Sequence, residues 1–402
     1  MSSDLGRWRG VREQIEMHPD WAYLNTGTSG LIPKISHTSA MELRTHLHRN
    51  PTDYVWRSHG EVLWRNRTRL AEHLGTSPDR LILFNNITQA VNTFSLSLPM
   101  PAGSEILISD HEYGALVWAW ERVAKRNGWT IKTFRLPIES EGPEDYVKAC
   151  DAAFTERTRL LYLSHILYTT GHVLPMEEIL KHATRREVIT FVDGAHAPGM
   201  IPLALENLQA DFYAANLHKW AMVPVGAAFL YCRAGMEESL APWQVSWGYH
   251  DARESSTPHL PNGMGSTPWI RGFEMEGTRD CTPWLLLENG LDILEEAGYE
   301  AIQQRHFELS QYVRECIAHQ PNMEVVTPKN RQLRGGLTAL RIAPTLDVAK
   351  VRERLWSEYR IEVNRILHPT GDYLRVSTHI YNTFEEIEQF ARAIKEILAG
   401  AE

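Results

Sequence analysis

The sequence has few cysteines, no long apolar run and no excess of basic residues. Its 402 residues include only 4 cysteines, none in a CxxC pair, so we expect neither a disulfide framework nor a zinc knuckle, and a cytoplasmic protein. No apolar run approaches the ~18–20 residues that span a bilayer, and no signal peptide is recognisable. The 41 Lys and Arg against 50 Asp and Glu give a net charge of -9, unlike a nucleic-acid binder. A soluble protein of enzyme size remains, with no affinity expected for nucleic acid or membrane.

Short β-rich runs alternate with helical patterns from about residue 80 to residue 232. Several runs are apolar almost throughout, which is typical of strands buried on both faces. Helical patterns cover 113–128, with a glycine at the end, and 175–187, with a proline and an acidic turn at the start. This alternation predicts an α/β protein with a mostly parallel, seven-stranded sheet sandwiched by helices. The predicted strands are 80–84, 105–110, 130–136, 159–166, 188–193, 211–216 and 226–232.

Residues 233–280 lack this alternation and are rich in Gly, Pro, Trp and Ser. Their aromatic content favours an ordered but irregular connection over a flexible linker. Two long helical patterns follow, and strand-like runs then alternate with two further helices up to residue 399. This order predicts a small α/β domain with helices on one face of an antiparallel sheet.

Candidate site residues follow three of the predicted strands, because ligands of open α/β sheets bind beyond the carboxyl ends of the strands. A helix begins near Thr88 and Gln89, where a hydroxyl and free N–H groups can bind phosphate, although an ordinary helix cap is the commoner explanation. Asp193 ends a strand with His196 close behind, and Lys219 follows the next strand. Alone, such an Asp is usually a turn former and such a Lys usually reaches solvent. Together, a carbonyl-reactive lysine, an acid and a phosphate-binding helix start are the parts of a pyridoxal 5'-phosphate (PLP) site.

Motifs along nearly the whole chain extend this combination. The sequence resembles the fold-type I PLP enzymes of aminotransferase class V, and within them the isopenicillin N epimerase-like branch. The pairing of VDGAHAPG with a downstream HKW is the most specific part of the resemblance. The motifs are LNTGTSG (24–30), NNITQAVN (85–92), SDHEYGA (109–115), SHILYTTG (164–171), VDGAHAPG (192–199), NLHKW (216–220), EGTRD (276–280) and LRVSTHIYNT (374–383).

The resemblance implies roles for the residues around the cofactor ring. Lys219 is expected to bind PLP covalently as a Schiff base, and Asp193 to keep the pyridine nitrogen protonated. His196 is expected to contact the ring or its phenolic oxygen, and Tyr113 to stack on the ring. His165 matches a strand-end position near the cofactor oxygen.

The resemblance also implies contacts to the phosphate and to the substrate. Thr88 and the N–H of Gln89, helped by His218, are expected to hold the phosphate. Gly277 and Thr278 resemble a motif that reaches the phosphate of a neighbouring subunit, which implies a homodimer with shared active sites.

Arg375 is implied as the clamp for the substrate α-carboxylate, because a guanidinium fork matches a carboxylate bidentately. Asn25 is expected to assist it. Without the resemblance, Arg375 would be read as an exposed strand residue in a surface ion pair. The family further implies an N-terminal segment (1–20) on the small domain, a large PLP-binding domain (21–280) and a small C-terminal domain (281–402).

The reaction stays open between several outcomes. A released Lys219 amine is the natural base for removing the Cα proton of an amino acid. Epimerisation and β-elimination with C–S cleavage are equally favoured, and transamination with a keto acid acceptor is the alternative. Epimerisation calls for a second acid, for which Tyr113 is a candidate. A cysteine desulfurase is disfavoured, because the stretch at 327–338 carries no cysteine nucleophile.

A metal-dependent hydrolase is the reading from another class. His165, Asp193, His196 and His218 could converge as metal ligands at the strand ends. That reading leaves Lys219 without a role, so a site without metal is expected.

Overall fold

The computed structural model describes residues 2–258 and 265–399, with side chains from residue 6 onward. The strands are β1 (Ala22–Tyr23), β2 (Leu81–Phe84), β3 (Glu105–Ser109), β4 (Thr130–Phe134), β5 (Thr158–Ser164), β6 (Ile189–Asp193), β7 (Phe212–Asn216), β8 (Ala228–Cys232), β9 (Met323–Val325), β10 (Leu337–Ile342), β11 (Ile361–Glu362), β12 (Asn364–His368) and β13 (Gly371–Ser377). The helices are α1 (Ser2–Gln14), α2 (Lys34–Arg49), α3 (Pro51–Asp53), α4 (His59–Leu74), α5 (Ile87–Ser97), α6 (Gly114–Asn127), α7 (Pro143–Ala153), α8 (Met176–Thr184), α9 (Leu205–Leu208), α10 (Trp247–Glu254), α11 (Pro268–Glu274), α12 (Thr282–Leu285), α13 (Leu287–Ala297), α14 (Tyr299–Ile317), α15 (Val348–Tyr359) and α16 (Phe384–Ala399).

The large sheet contains the seven predicted strands in the order β2-β8-β7-β6-β5-β3-β4. Its pairs are parallel except for those of β8, which runs antiparallel to β2 and β7. Successive side chains of a strand point to opposite faces, so Leu160 and Tyr162 join one apolar cluster while Leu161 and Leu163 join the other. Burial on both faces explains why these strands read as continuous apolar runs. The predicted mostly parallel sheet between helices is confirmed.

The second sheet has the order β12-β13-β10-β9 and is antiparallel throughout, as predicted. Leu340 and Ile342 of β10 and Leu374 and Val376 of β13 share a core with α14, α15 and α16. Arg375 alternates with those β13 residues and therefore faces away from the helices. The predicted strand 361–366 is interrupted in the structure, because β11 leaves this sheet to pair with β1.

The connection at 233–280 differs from the prediction. Its described part contains α10 and α11, so the irregular reading is wrong for those two stretches; residues 259–264 lie outside the described residues. Helix α11 begins where the Thr267 hydroxyl accepts a hydrogen bond from the N–H of Ile270 at 3.2 Å, with Pro268 in the first turn. A side-chain cap followed by proline is a helix-start signal that composition alone does not reveal.

The N-terminal helix α1 contacts both halves of the chain. Arg12 donates hydrogen bonds to Glu386 of α16 and to the carbonyl of Tyr381, both at 2.9 Å. Trp8 and Val11 belong to the core of the large sheet, and so do the apolar residues of α12 and α13. The division at residue 280 stays a prediction.

Candidate active site

A cavity of about 470 Å³ lies at the carboxyl ends of the central strands of the large sheet, where β12 and β13 of the second sheet meet it. Its volume is in the range of small-molecule sites. The cavity therefore lies where open α/β sheets bind ligands. It is lined by Gly27, Thr28, Asn86, Ile87, Thr88, Tyr113, Ser164, Ile166, Tyr168, Asp193, Ala195, His196, Asn216, His218, Lys219, Asn364, Arg365, Ile366, Leu367 and Arg375.

Lys219 and His196 meet in this cavity. The Nζ atom of Lys219 lies 3.3 Å from Nε2 of His196, whose Nδ1 accepts a hydrogen bond from Trp220 Nε1 at 3.2 Å. Burial, and after it the charge of Arg375, lowers the pKa of Lys219 to about 7 against the opposing effect of Asp193. Burial also holds the pKa of His196 well below its ordinary value. A lysine that is neutral near pH 7 can act as a nucleophile or as a base.

Asp193 stands at the tip of β6 with its carboxylate fixed by two donors. Oδ1 accepts from the N–H of Ala195 at 2.9 Å, and Oδ2 accepts from the Tyr162 hydroxyl at 3.0 Å. Burial raises the pKa of Asp193, whereas these two donors and Lys219 act in the other direction. The carboxylate lines the cavity with acceptor capacity left over, which suits contact with a protonated ring nitrogen.

The N-terminus of α5 contributes Thr88 to the cavity. The N–H groups beside it are already bonded: Ile87 donates to Asn216 Oδ1 at 3.0 Å and Gln89 to Asn86 Oδ1 at 2.9 Å. Gln89 does not line the cavity, and the contact of its N–H with a phosphate stays a prediction. Ile87 and Thr88 are the first-turn residues that line the cavity, and Thr88 contributes the polar side chain at the positive end of the helix dipole.

His218 adds an unsatisfied group next to Lys219. Its buried Nδ1 has no hydrogen-bond partner within the described residues, and burial lowers its pKa to about 4. Neutral histidine can donate one hydrogen bond or accept one at this atom, depending on its tautomer. With Thr88, it gives the cavity polar groups that fit the phosphate of PLP.

Arg375 is 2 % exposed and has no carboxylate partner among the described residues. Its guanidinium donates to the carbonyl of Tyr168 at 2.9 Å and to the Thr28 hydroxyl at 3.2 Å, while its Nε is unpartnered. Thr28 in turn donates to Asn25 Oδ1 at 2.8 Å. Burial lowers the pKa of Arg375 to about 10. Asn25 thus lies behind Thr28 and does not line the cavity itself.

Tyr113 precedes α6 at the cavity mouth and is 47 % exposed. Its ring meets that of Tyr168 edge to face, with centroids 5.3 Å apart. It is thus open to a flat ligand, as expected of a stacking residue.

Three further predicted site residues do not line this cavity and line other cavities instead. His165 follows the cavity-lining Ser164 but contacts the Tyr213 hydroxyl at 3.0 Å and lines a different cavity, because successive side chains turn to opposite sides. Gly277 and Thr278 line a separate cavity of about 710 Å³. They do not approach Lys219 within one chain.

Two residues beside the site, Glu112 and Gly30, are not predicted from the sequence. Glu112 accepts hydrogen bonds from the hydroxyls of Ser109 and Ser164, and burial raises its pKa to about 7. Gly30 approaches the lysine so closely that a Cβ there would lie 1.9 Å from the carbonyl oxygen of Lys219. The glycine in LNTGTSG was a signal for such close approach; nothing in the sequence indicated the buried carboxyl.

Neither a metal-binding cluster nor a membrane-spanning helix is found in the part of the chain that the structure describes. No three His, Cys, Asp or Glu side chains there are placed to share a metal ion, and His165 does not converge with Asp193 and His218. None of the described helices is long and apolar enough to cross a bilayer.

Comparison with known proteins gives relatives along the whole chain. The isopenicillin N epimerases of Streptomyces clavuligerus and Amycolatopsis lactamdurans are each 41% identical, over 96% and 97% of this chain and 97% and 98% of theirs. A solved complex of the cystine C-S lyase C-DES with cysteine persulfide superimposes with a TM-score of 0.83 at 23% identity, covering 94% of this chain and 98% of that one. This structural likeness confirms the fold.

The family model for aminotransferase class V matches residues 23–390. The resemblance in the motifs, the fold-type I architecture and the expectation of a PLP-dependent enzyme are thereby confirmed. Within that class the findings support an epimerase or a C–S lyase. The chain belongs to the aminotransferase class V family.

Proposed function

We propose that the protein epimerises an amino-acid centre, with Lys219 as the base that removes the Cα proton. The observation that carries this proposal is one cavity that holds a lysine with a pKa of about 7 and a buried arginine without a carboxylate partner among the described residues. Two relatives at 41% identity are isopenicillin N epimerases, which favours epimerisation over C–S cleavage.

Each group of the cavity has a place in this chemistry. Bound PLP supplies an electron sink for the electrons left on Cα when its proton is removed. Asp193 holds a proton at the pyridine nitrogen, and Thr88 and His218 bind the phosphate. Arg375 orients the substrate carboxylate, which directs the Cα–H toward Lys219. Tyr113, on the open side of the cavity, is the proposed second acid.

Borohydride reduction tests the link between the cofactor and Lys219. The PLP-loaded protein is reduced, digested and mapped by mass spectrometry, and we expect the cofactor mass on the peptide that contains Lys219. A Lys219→Ala variant is the matched control and should carry no label there. A label on another lysine refutes the proposed site.

The reaction is tested with isopenicillin N beside a panel of free amino acids in deuterium oxide. Exchange of the α-hydrogen without release of a keto acid is the result expected of an epimerase. Keto acid together with a leaving group, such as sulfide, would establish a C–S lyase instead. Keto acid with loss of the cofactor absorbance would establish transamination.

We also propose a homodimer whose second subunit covers the 710 Å³ cavity. That cavity is lined by Gly277, Thr278 and the exposed Trp56 and Trp247, and the Nε and Nη2 atoms of its half-buried Arg279 have no hydrogen-bond partner in the described part of the chain. These features fit a surface that a second copy completes. Light scattering after gel filtration should give twice the 46.0 kDa chain mass, and a monomer would refute the shared site. A cytoplasmic location is part of the same proposal and is consistent with four free thiols.

A further inference from the structure

Trp220, the residue after Lys219, contacts the site through its side chain. Trp220 is fully buried, and its indole Nε1–H donates to Nδ1 of His196 at 3.2 Å. The other ring nitrogen of His196, Nε2, lies 3.3 Å from Lys219 Nζ. The three side chains therefore form one chain of contacts that ends at the reactive amine.

We propose that Trp220 is a positioning residue whose indole N–H fixes His196 as its Nε2–H tautomer and thereby favours the neutral amine of Lys219. The indole nitrogen can only donate, so Nδ1 of His196 must accept. A neutral imidazole then carries its proton on Nε2 and directs it at Lys219. An ammonium group has no lone pair to accept that proton, whereas a neutral amine does.

The indole is held in place from several sides. His379 Nε2 donates to the carbonyl oxygen of Trp220 at 2.9 Å, and its ring stacks on the indole with centroids 5.6 Å apart. The His306 ring meets the indole edge-on at 5.3 Å. A Cβ on Gly199 would lie 2.2 Å from the same carbonyl oxygen, so the DGAHAPG loop is pressed against this segment. The indole N–H of Trp220 is therefore held pointing toward His196.

Charged groups near the Lys219 amine also shift its pKa. Arg375 lowers the pKa of Lys219 and Asp193 raises it, with burial as the largest cause. His196 itself faces Lys219, Arg375 and His218, which with burial hold its pKa far below the ordinary value. His196 therefore stays neutral, and its tautomer decides whether Nε2 offers Lys219 a hydrogen-bond donor or an acceptor.

The inference concerns the lysine on which the proposed function rests, but it is tested on the apoprotein without cofactor or substrate. Apoprotein prepared with hydroxylamine is methylated with formaldehyde and cyanoborohydride between pH 6 and pH 10, and Lys219 is followed by peptide mass mapping. We expect Trp220→Phe to raise the apparent pKa of Lys219 from about 7 by about one unit, so that its methylation at pH 7 slows about fivefold. The phenyl ring keeps an aromatic surface for His379 but lacks the N–H and three ring atoms of the indole, and the control variant shares this loss of volume.

Trp129→Phe is the matched control. Trp129 is also buried and also loses one N–H hydrogen bond, to the carbonyl of Met100 at 3.1 Å, but outside the cavity. We expect Lys219 in the Trp129→Phe variant to titrate as it does in the wild type. An unchanged titration in folded Trp220→Phe, or an equal shift in both variants, overturns the inference.

A measurement on the wild type decides the question even if Trp220→Phe does not fold. Nitrogen-15 NMR of histidine-labelled apoprotein distinguishes a protonated from an unprotonated ring nitrogen, and His196→Gln assigns the signals. A protonated Nε2 and an unprotonated Nδ1 are expected for His196. A proton on Nδ1 overturns the inference. Neither result depends on which reaction the enzyme catalyses, so failure of the proposed epimerase activity remains distinguishable.

Discussion

Replacing Arg375 with methionine should remove substrate binding while costing little stability. Arg375 lies in the cavity without a carboxylate partner in the described residues, although it is 2 % exposed. The proposed partner is the α-carboxylate of the substrate, which pairs with the guanidinium only when it is bound. Methionine keeps much of the side-chain length and volume but has neither charge nor donors.

The magnitudes follow from the surroundings of the guanidinium. Burial lowers its pKa from 12.5 to about 10, so the charged form opposes folding at every pH below about 10, by about 3 kcal/mol. Losing the hydrogen bonds to Tyr168 and Thr28 costs about 1–3 kcal/mol, so the two effects nearly cancel. Breaking a buried pair with the substrate carboxylate should weaken binding by about 3–5 kcal/mol, which is over a hundredfold.

Arg67→Met is the matched control. Arg67 is equally buried but pairs with both carboxylate oxygens of Glu274, at 2.8 and 2.9 Å. Removing it leaves Glu274 buried and unpaired, so stability should fall by about 3–5 kcal/mol. Thermal unfolding measures stability, and spectral titration with an α-amino acid and with its decarboxylated amine measures binding. If Arg375→Met unfolds as readily as Arg67→Met, or if it binds the amino acid as well as the wild type does, the reasoning fails.

Three further predictions concern a buried carboxyl, a close backbone approach and two thiols. Because the folded-state pKa of Glu112 is about 7, above its ordinary 4.5, the stability it contributes is present below pH 4.5 and is lost as pH rises through 7. The free energy of unfolding of the wild type should therefore fall relative to that of Glu112→Gln across that window, by up to about 3 kcal/mol, and parallel stability curves would contradict this. Gly30→Ala should prevent cofactor binding and lower the Tm, since its methyl would lie 1.9 Å from a carbonyl oxygen, whereas Gly10→Ala, with open space around it, should do neither. Burial raises the thiol pKa of Cys281 to about 11 and raises that of Cys316, so serine at either position should leave turnover within about twofold, and a larger loss would reopen persulfide chemistry.

The sequence predicts the strands of this fold well because most of them are buried on both faces. β7 and β8 are buried at every position, and such runs need only local composition to be recognised. Side-chain direction is harder to predict. Ser164 lines the cavity and His165 turns away from it, a difference of one residue that depends on where β5 ends.

Competition between donors and acceptors is equally invisible in the sequence. Gln89 has the helix-start position that suits a phosphate, but Asn86 lies three residues before it and takes its N–H as a cap. In the sequence, Trp220 looks like any apolar residue after a lysine. The hydrogen bond from its indole N–H to His196 is visible only in the folded structure. Residue types thus predict which chemistry is present, whereas the partners of each polar atom depend on contacts far apart in the chain.

The buried basic side chains of the site, Arg375 as a cation and Lys219 and His218 as neutral groups, argue for a ligand that carries negative charge at two places. Arg67 is a buried arginine that pairs with a carboxylate of its own chain. Arg375 has no such partner in the described residues, and Lys219 meets a neutral histidine. A buried charge lowers the stability of the folded protein unless it is paired, and a bound anionic ligand would offset this cost at Arg375. A phosphate beside His218 and a carboxylate at Arg375 would supply the missing charges, and their binding energy would then be available to orient the Cα–H toward the amine.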